Sequence, residues 1–165
     1  MFKKFVVIFF IVKDLLSCEN LIHYYEILKN AKESYQNQKY TESLFYFQKI
    51  ENCERFYNIE NDIFIYSLTI KEICMQTLSW ESKSLECKKL VSKMIRLLNL
   101  SLKMLLPEKQ FLKDRSERYF NLGLAHFYLE NCLEAKKSFL KSLELYPTKE
   151  NQKYYESLTK LCPNG

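Results

Sequence analysis

Apolar side chains recur along this chain at the three- and four-residue intervals typical of helices that bury one face. Two such stripes lie in the last third of the sequence, with spacings i, i+3, i+7 and i, i+4, i+7: Tyr119, Leu122 and His126, then Ala135, Phe139 and Ser142. Glu130 and Asn131 separate the stripes, and Pro147 follows the second. Because proline cannot continue a helix, the pattern predicts two antiparallel helices joined by a tight turn and ended at Pro147.

Gly123 lies inside the first of these predicted helices. Glycine in a helix costs about 1 kcal/mol relative to alanine, so it needs a structural reason. The small residues Ala135 and Ser142 lie on the second helix, where they allow two backbones to approach closely. We therefore expect the two helices to press together at Gly123.

A looser copy of the same unit is predicted upstream, from about Tyr24 to Tyr57. In that alignment Ala31 takes the place of Gly123, while Ser43 and Phe47 take the places of Ala135 and Phe139. Residues 58–115 between the copies are interpreted as an irregular helical pair. Asn61 or Asp62 is expected to cap its first helix, and its second is expected to run from Glu81 to Leu106. Residues 150–161 suit a polar capping helix, which brings the count to about seven helices.

Composition agrees with an all-α fold. The 165 residues include only 2 glycines and 3 prolines, too few for the regular turns of an all-β protein. Hydrophobic residues make up 47% of the chain, which is enough for a core. The net charge of +5 is dispersed, and arginine occurs only at positions 55, 96, 115 and 118. Such dispersion does not favour nucleic-acid binding, which usually needs a basic face.

Residues 1–18 carry a short basic region followed by the apolar run Phe5–Val12. The run is long enough for a signal-peptide core and too short to span a bilayer, so we predict a signal peptide or membrane-targeting segment. Leu15-Leu16-Ser17-Cys18 resembles a bacterial lipoprotein signal, which implies lipid attachment at Cys18. The charged pair Lys13-Asp14 departs from that pattern, and an amphipathic first helix is the alternative.

The six cysteines form neither a CxxC pair nor a zinc-type cluster with histidine. Free cysteine is commonly a small buried hydrophobic residue, which is the interpretation adopted for Cys74 and Cys132. No phosphate-binding loop or hydrolase motif is present, and the two histidines form no site with other residues. We expect no catalytic residues, no metal site and no cofactor.

Residues 116–149 resemble a tetratricopeptide repeat over their full length. The positions that carry the resemblance are spaced as in that family: Tyr119, Leu122, Gly123, His126, Ala135, Phe139, Ser142 and Pro147. His126 departs from the family's usual tyrosine. The resemblance implies that residues 21–161 form a short right-handed solenoid of stacked helical hairpins, with repeats at 24–57 and 116–149.

Family resemblance also implies a groove that binds an extended peptide or a partner helix. Its groove-facing positions correspond to Leu28, Lys32 and Tyr35 in the first repeat, and to Phe120, Leu124 and Phe127 in the last. The alternative is that Phe120 and Leu124 pack on a neighbouring helix. The sequence thus predicts a non-catalytic adaptor for another protein, exported or anchored in the cell envelope if the N-terminus is a signal and cytoplasmic otherwise. A self-associating structural protein, or an accessory subunit of an envelope complex, is the competing hypothesis.

Overall fold

The computed structural model describes residues 21–51, 60–76 and 85–162. Within these ranges the protein is all-helical and contains no strand, as the sequence predicted. Seven α-helices and one short 3₁₀ helix (Lys109–Phe111) follow in order. The α-helices are α1 Leu21–Gln36, α2 Tyr40–Glu51, α3 Glu60–Gln76, α4 Leu85–Met104, α5 Leu112–Tyr128, α6 Cys132–Leu145 and α7 Lys149–Leu161. The expected targeting segment 1–18, including Cys18, lies outside the described residues.

The chain divides into two compact units, residues 1–59 and 60–165. In the first unit α1 packs against α2 as a hairpin. Ala31 and Phe47 are fully buried, and the Ser43 hydroxyl donates a hydrogen bond of 2.8 Å to the Ala31 carbonyl oxygen. Small side chains at 31 and 43 therefore let the two helices approach closely.

The turn of this hairpin has the same backbone geometry as the turn between α5 and α6. Gln38 and Glu130 both adopt left-handed conformations, with φ of 61° and 63°. The Gln38 amide donates to the Tyr35 carbonyl and the Lys39 amide to the Ser34 carbonyl. In the other turn the Glu130 amide donates to the Phe127 carbonyl and the Asn131 amide to the His126 carbonyl, with the same two spacings. This is a Schellman motif, which satisfies the last carbonyl groups of a helix. Both hairpins thus end their first helix in the same way.

In the second unit each helix packs against the next along the chain, from α3 through α7. Arg118 of α5 is buried, donates from Nε to the Ser101 hydroxyl of α4 at 2.6 Å, and lies over the Phe64 ring of α3 at 4.2 Å. Arg115 donates to the carbonyl oxygens of Leu102 and Leu105 at 3.3 and 3.0 Å. These hydrogen bonds satisfy carbonyls at the C-terminal end of α4, where a cation is favourable.

The expected cap at Asn61 or Asp62 is wrong, because α3 begins at Glu60 and both residues lie in its first turn. Asp62 is buried there. The second helix of this pair spans Leu85–Met104, inside the expected 81–106. The terminal helix α7 is capped by Thr148, whose side chain accepts a hydrogen bond of 3.1 Å from the Asn151 backbone amide. Such a cap satisfies one of the free amides at a helix start.

Replacing Gln38 by glycine should stabilise the first unit. An L-residue in the left-handed region costs about 1–2 kcal/mol, and glycine avoids most of that cost. We expect Gln38→Gly to slow amide hydrogen exchange in α1 and α2 by about three- to fivefold, because exchange reports the local free energy of opening. Gln38→Ala, which keeps the Cβ, is the control. Equal exchange in the two variants would show that the turn is not strained.

Candidate functional site

The hairpin of α5 and α6 is built on contact between Gly123 and Phe139. A Cβ added to Gly123 would lie 2.8 Å from three atoms of the Phe139 ring, closer than side chains normally approach. Ala135 is fully buried on the same helix as Phe139. Gly123 is therefore required by the position of the Phe139 ring, whereas the sequence led us to expect the backbone of the second helix there, beside Ala135 and Ser142.

A buried polar cluster joins α5, α6 and α7 at the other end of this hairpin. It consists of Ser116, Ser142 and Asn151. Each serine hydroxyl donates to the carbonyl oxygen of the other serine, at 2.9 and 2.8 Å, and the Asn151 amide donates to the Ser142 hydroxyl at 2.8 Å. Because the donors and acceptors are matched, the cluster fixes the start of α7 against the hairpin.

The eight repeat-signature residues all fall in or directly after α5 and α6. Five of them are buried: Leu122, Gly123, Ala135, Phe139 and Ser142. Tyr119 and His126 are half-buried, and Pro147 is exposed two residues after α6 ends at Leu145. The turn lies at Leu129–Glu130, one residue before the expected Glu130–Asn131.

His126 faces an open polar cavity of about 510 Å³ between α4, α5 and α6. The charged and phenolic groups around it are Glu134, Lys137, Lys141 and Tyr119. Lys137 pairs with Glu134 at 2.7 Å. Burial lowers the pKa of His126 below its ordinary value of 6.5, and this outweighs the opposing effect of the Glu134 carboxylate.

An apolar groove lies on another side of the unit, along α7. We call it the terminal groove. It has a volume of about 310 Å³ and is lined by Phe127, Phe139, Lys153, Tyr154, Ser157, Leu158 and Leu161. Lys153 is the one charged residue in this lining. Leu161 is 68% exposed at its rim, so the groove is open to solvent.

Three aromatic rings support the terminal groove from below. Phe120 packs edge-to-face on Phe139 and Tyr154, with ring centroids 5.4 and 5.2 Å apart. Phe139 and Tyr154 are stacked at 6.0 Å. Contacts of this kind contribute about 0.5–1.5 kcal/mol each beyond the area that they bury. The groove therefore rests on a rigid base.

Of the residues expected to face a groove, only Phe127 lines the terminal groove. Phe120 and Leu124 pack against the buried cluster of Ala135, Phe139, Leu158 and Cys162. This is the alternative that the sequence left open for these two side chains. In the first unit Leu28 is buried, whereas Lys32 and Tyr35 are half-buried, and the Tyr35 ring packs on Tyr40.

The lining residues on α7 were missed from the sequence, which suggested only a capping helix there. The signal was the spacing of Tyr154, Leu158 and Leu161 at i, i+4 and i+7, a narrow apolar stripe on an otherwise polar helix. Of these, Leu158 is buried. Burial of a leucine side chain stabilises the folded state by about 1.5–3 kcal/mol.

The interpretation of Cys74 and Cys132 as free cysteines is wrong. Cys74 is bonded to Cys87, with Cα atoms 5.6 Å apart, and Cys132 to Cys162, with Cα atoms 5.9 Å apart. The second bond, here called the terminal bridge, joins the start of α6 to the residue after α7. Closing a loop of this length stabilises a fold by about 3–4 kcal/mol in the chain-entropy treatment. Lys136 also donates a hydrogen bond to the Cys162 carbonyl oxygen.

Metal ligands are not grouped in the part of the chain that the structure describes. No three His, Cys, Asp or Glu side chains there could hold an ion. None of the described helices is both long and apolar enough to cross a membrane.

No protein-family model matches the chain, and no curated protein matches it significantly.

Replacing Gly123 by alanine should destabilise the second unit. The new methyl group would collide with a ring that Phe120 and Tyr154 hold in place, and overpacking of this kind costs about 1–3 kcal/mol. The gain in helix propensity of about 1 kcal/mol offsets only part of that cost. Urea denaturation followed by circular dichroism measures the difference.

Gly123→Ala should lower the free energy of unfolding by less in a Phe139→Leu background, where the flat ring is absent. A double-mutant cycle should then give a coupling of at least about 0.5 kcal/mol between positions 123 and 139. Additive effects would show that Gly123 is not there to admit the ring.

Acidification should destabilise the second unit through His126. The folded state holds this residue with a lowered pKa, so its stabilising effect is complete above pH 6.5 and is lost as pH falls below that value. Unfolding free energies measured between about pH 5 and pH 7.5 should fall less steeply for His126→Gln than for the wild type. Parallel curves for the two proteins would exclude His126 as a source of the pH dependence.

Proposed function

We propose that this chain is a non-catalytic protein-binding module of the tetratricopeptide type, which holds a peptide segment of its partner in the terminal groove. The observation that carries the proposal is the groove itself: an open apolar depression on a rigid aromatic base, with one lysine at its side. Exposed apolar depressions of this kind are typical of sites that bind other proteins.

Repetition of one hairpin design supports the repeat type. The first unit places Ala31 where the second places Gly123, and both residues are fully buried on a helix that ends in the same Schellman turn. A buried phenylalanine occupies the matching place on each second helix, at 47 and 139. Matching local structure at matching positions is what a repeated unit of sequence produces.

The lining indicates the chemistry of the partner. The phenylalanine, tyrosine and leucine side chains favour an apolar side chain, and the volume of about 310 Å³ suits one or two of them. An adjacent carboxylate on the partner would pair with Lys153, for which the groove lining offers no acidic partner. The favoured ligand is therefore a segment with a large apolar residue beside an acidic one.

Two disulfides among the described residues bear on location. Disulfides persist mainly in oxidising compartments, so Cys74–Cys87 and Cys132–Cys162 support an exported protein. This agrees with the targeting segment expected at residues 1–18. We therefore include export to the cell envelope in the proposal, with lipid attachment at Cys18 as its most specific form.

Self-association is the second candidate function. Leu133 and Leu140 lie seven residues apart on α6, are 51% and 44% exposed, and belong to neither cavity. They form a small apolar stripe that a second copy could cover. A strictly monomeric mass in solution would exclude this candidate.

Peptide binding can be tested without knowledge of the partner. A random dodecapeptide phage library is selected on the oxidised full-length chain, and enriched peptides are measured by fluorescence anisotropy. We expect them to share an apolar residue next to Asp or Glu. Leu161→Glu should weaken their binding by about tenfold or more, because it places a charge at the apolar rim.

Lys153→Glu should weaken binding by about three- to tenfold, and less at high salt, because it reverses the charge that faces the acidic residue. Lys149→Glu, on the same helix but outside the groove, is the matched charge control. Leu140→Glu is the control for an added carboxylate at an exposed leucine. No enriched consensus, or equal losses in all four variants, would contradict the proposal.

A further inference from the structure

The second half of α7 forms most of the terminal groove. Five of its seven lining residues lie on this helix, between Lys153 and Leu161. Phe127 and Phe139 contribute the remainder from α5 and α6. The groove therefore exists only while this part of α7 stays against the hairpin.

Few noncovalent contacts hold that part of the helix. Asn151 and Leu158 are its buried residues, and Asn151 belongs to the first turn, where the polar cluster fixes it. Tyr155 is half-buried, whereas Tyr154 and Leu161 are 42% and 68% exposed. Beyond Asn151, the apolar attachment consists of Leu158, the half-buried Tyr155 and the Tyr154 ring, which packs on Phe120 and Phe139.

The terminal bridge attaches the end of α7 covalently. Cys162 follows the last residue of the helix, is buried, and is bonded to Cys132 at the first residue of α6. Cys132 is half-buried, so this end of the bond is less covered than Cys162. The bridge and the Lys136 hydrogen bond together hold the helix end at the side of Phe139.

We propose that the redox state of the Cys132–Cys162 bond controls the terminal groove: the oxidised form binds its peptide and the reduced form does not. This rests on the proposed function of the groove. The reductant is a dithiol, which transfers two electrons. Its thiolate attacks one sulfur, the S–S bond breaks, and the second thiol completes the exchange. The products are two cysteine thiols, which receive the dithiol's two protons, and an oxidised dithiol.

The disulfide limits the number of conformations that the chain end can adopt when it detaches. Reduction removes this limit, so the second half of α7 separates from the hairpin. The polar cluster at Ser116, Ser142 and Asn151 contains no sulfur, so the start of α7 stays in place. The part of the lining from Lys153 to Leu161 is lost, while Phe127 and Phe139 become more exposed.

The bond between Cys74 and Cys87 provides a matched control. Cys74–Cys87 joins α3 to α4, which already share an extensive buried interface. Its residues line neither the terminal groove nor the cavity at His126. Loss of this bond should therefore leave α7 unchanged.

The test compares full-length wild type with Cys132→Ser/Cys162→Ser and with Cys74→Ser/Cys87→Ser. Hydrogen exchange with mass-spectrometric detection reports on residues 152–161, and anisotropy reports on a phage-selected peptide. We expect the first double variant to exchange about tenfold faster or more in this segment, with α5 and α6 unchanged, and to bind the peptide about tenfold more weakly. The second double variant should match wild type in both measurements.

Wild-type protein titrated with dithiothreitol gives the same comparison if a variant fails to fold, with each bond followed by alkylation and peptide mass mapping. Peptide binding should fall in step with reduction of Cys132–Cys162 and return on reoxidation. Unchanged exchange in residues 152–161 after loss of this bond would overturn the redox control while leaving the groove in place. Faster exchange in a protein whose oxidised form binds no peptide would instead contradict the proposed function.

Discussion

Close contact between Gly123 and the Phe139 ring is the constraint on which the second unit depends. The missing side chain at 123 lets the ring lie directly against the α5 backbone. The ring is then held in place for Phe120 and Tyr154 to pack on it, and these contacts bring α7 to its position. Because residue 123 has no side chain, the packing of the hairpin also determines the shape of the exposed groove.

The polar cluster complements this apolar contact at the opposite end of the hairpin. Two serines and one asparagine exchange hydrogen bonds that only one alignment of three helices satisfies. Apolar packing alone tolerates small shifts along a helix, whereas a buried donor without its acceptor is costly. Ser142 shows how one small residue serves two purposes, since it permits close approach and also supplies the hydroxyl group. In the first unit, the Ser43 hydroxyl has a comparable role.

Helix positions and the α5–α6 hairpin could be predicted because periodicity, glycine, proline and turn residues are local features of sequence. The groove could be predicted only in part. Phe127 was identified, but Phe120 and Leu124 are covered by α7, and the placement of that helix depends on contacts between distant residues. The cysteine pairs were missed for the same reason, because pairing follows distance in space and not spacing along the chain. Left-handed Gln38 and Glu130 were also not evident, since neither is the glycine that usually marks such a turn.

The bond between Cys132 and Cys162 makes a covalent ring of α6, α7 and their connection. That connection, Tyr146 to Thr148, includes exposed residues and no helix, which makes it the natural place for a protease to cut. A cut there opens the ring without releasing either fragment, since the sulfur atoms still join them. A molecule that has been cut at this connection therefore keeps all of its parts.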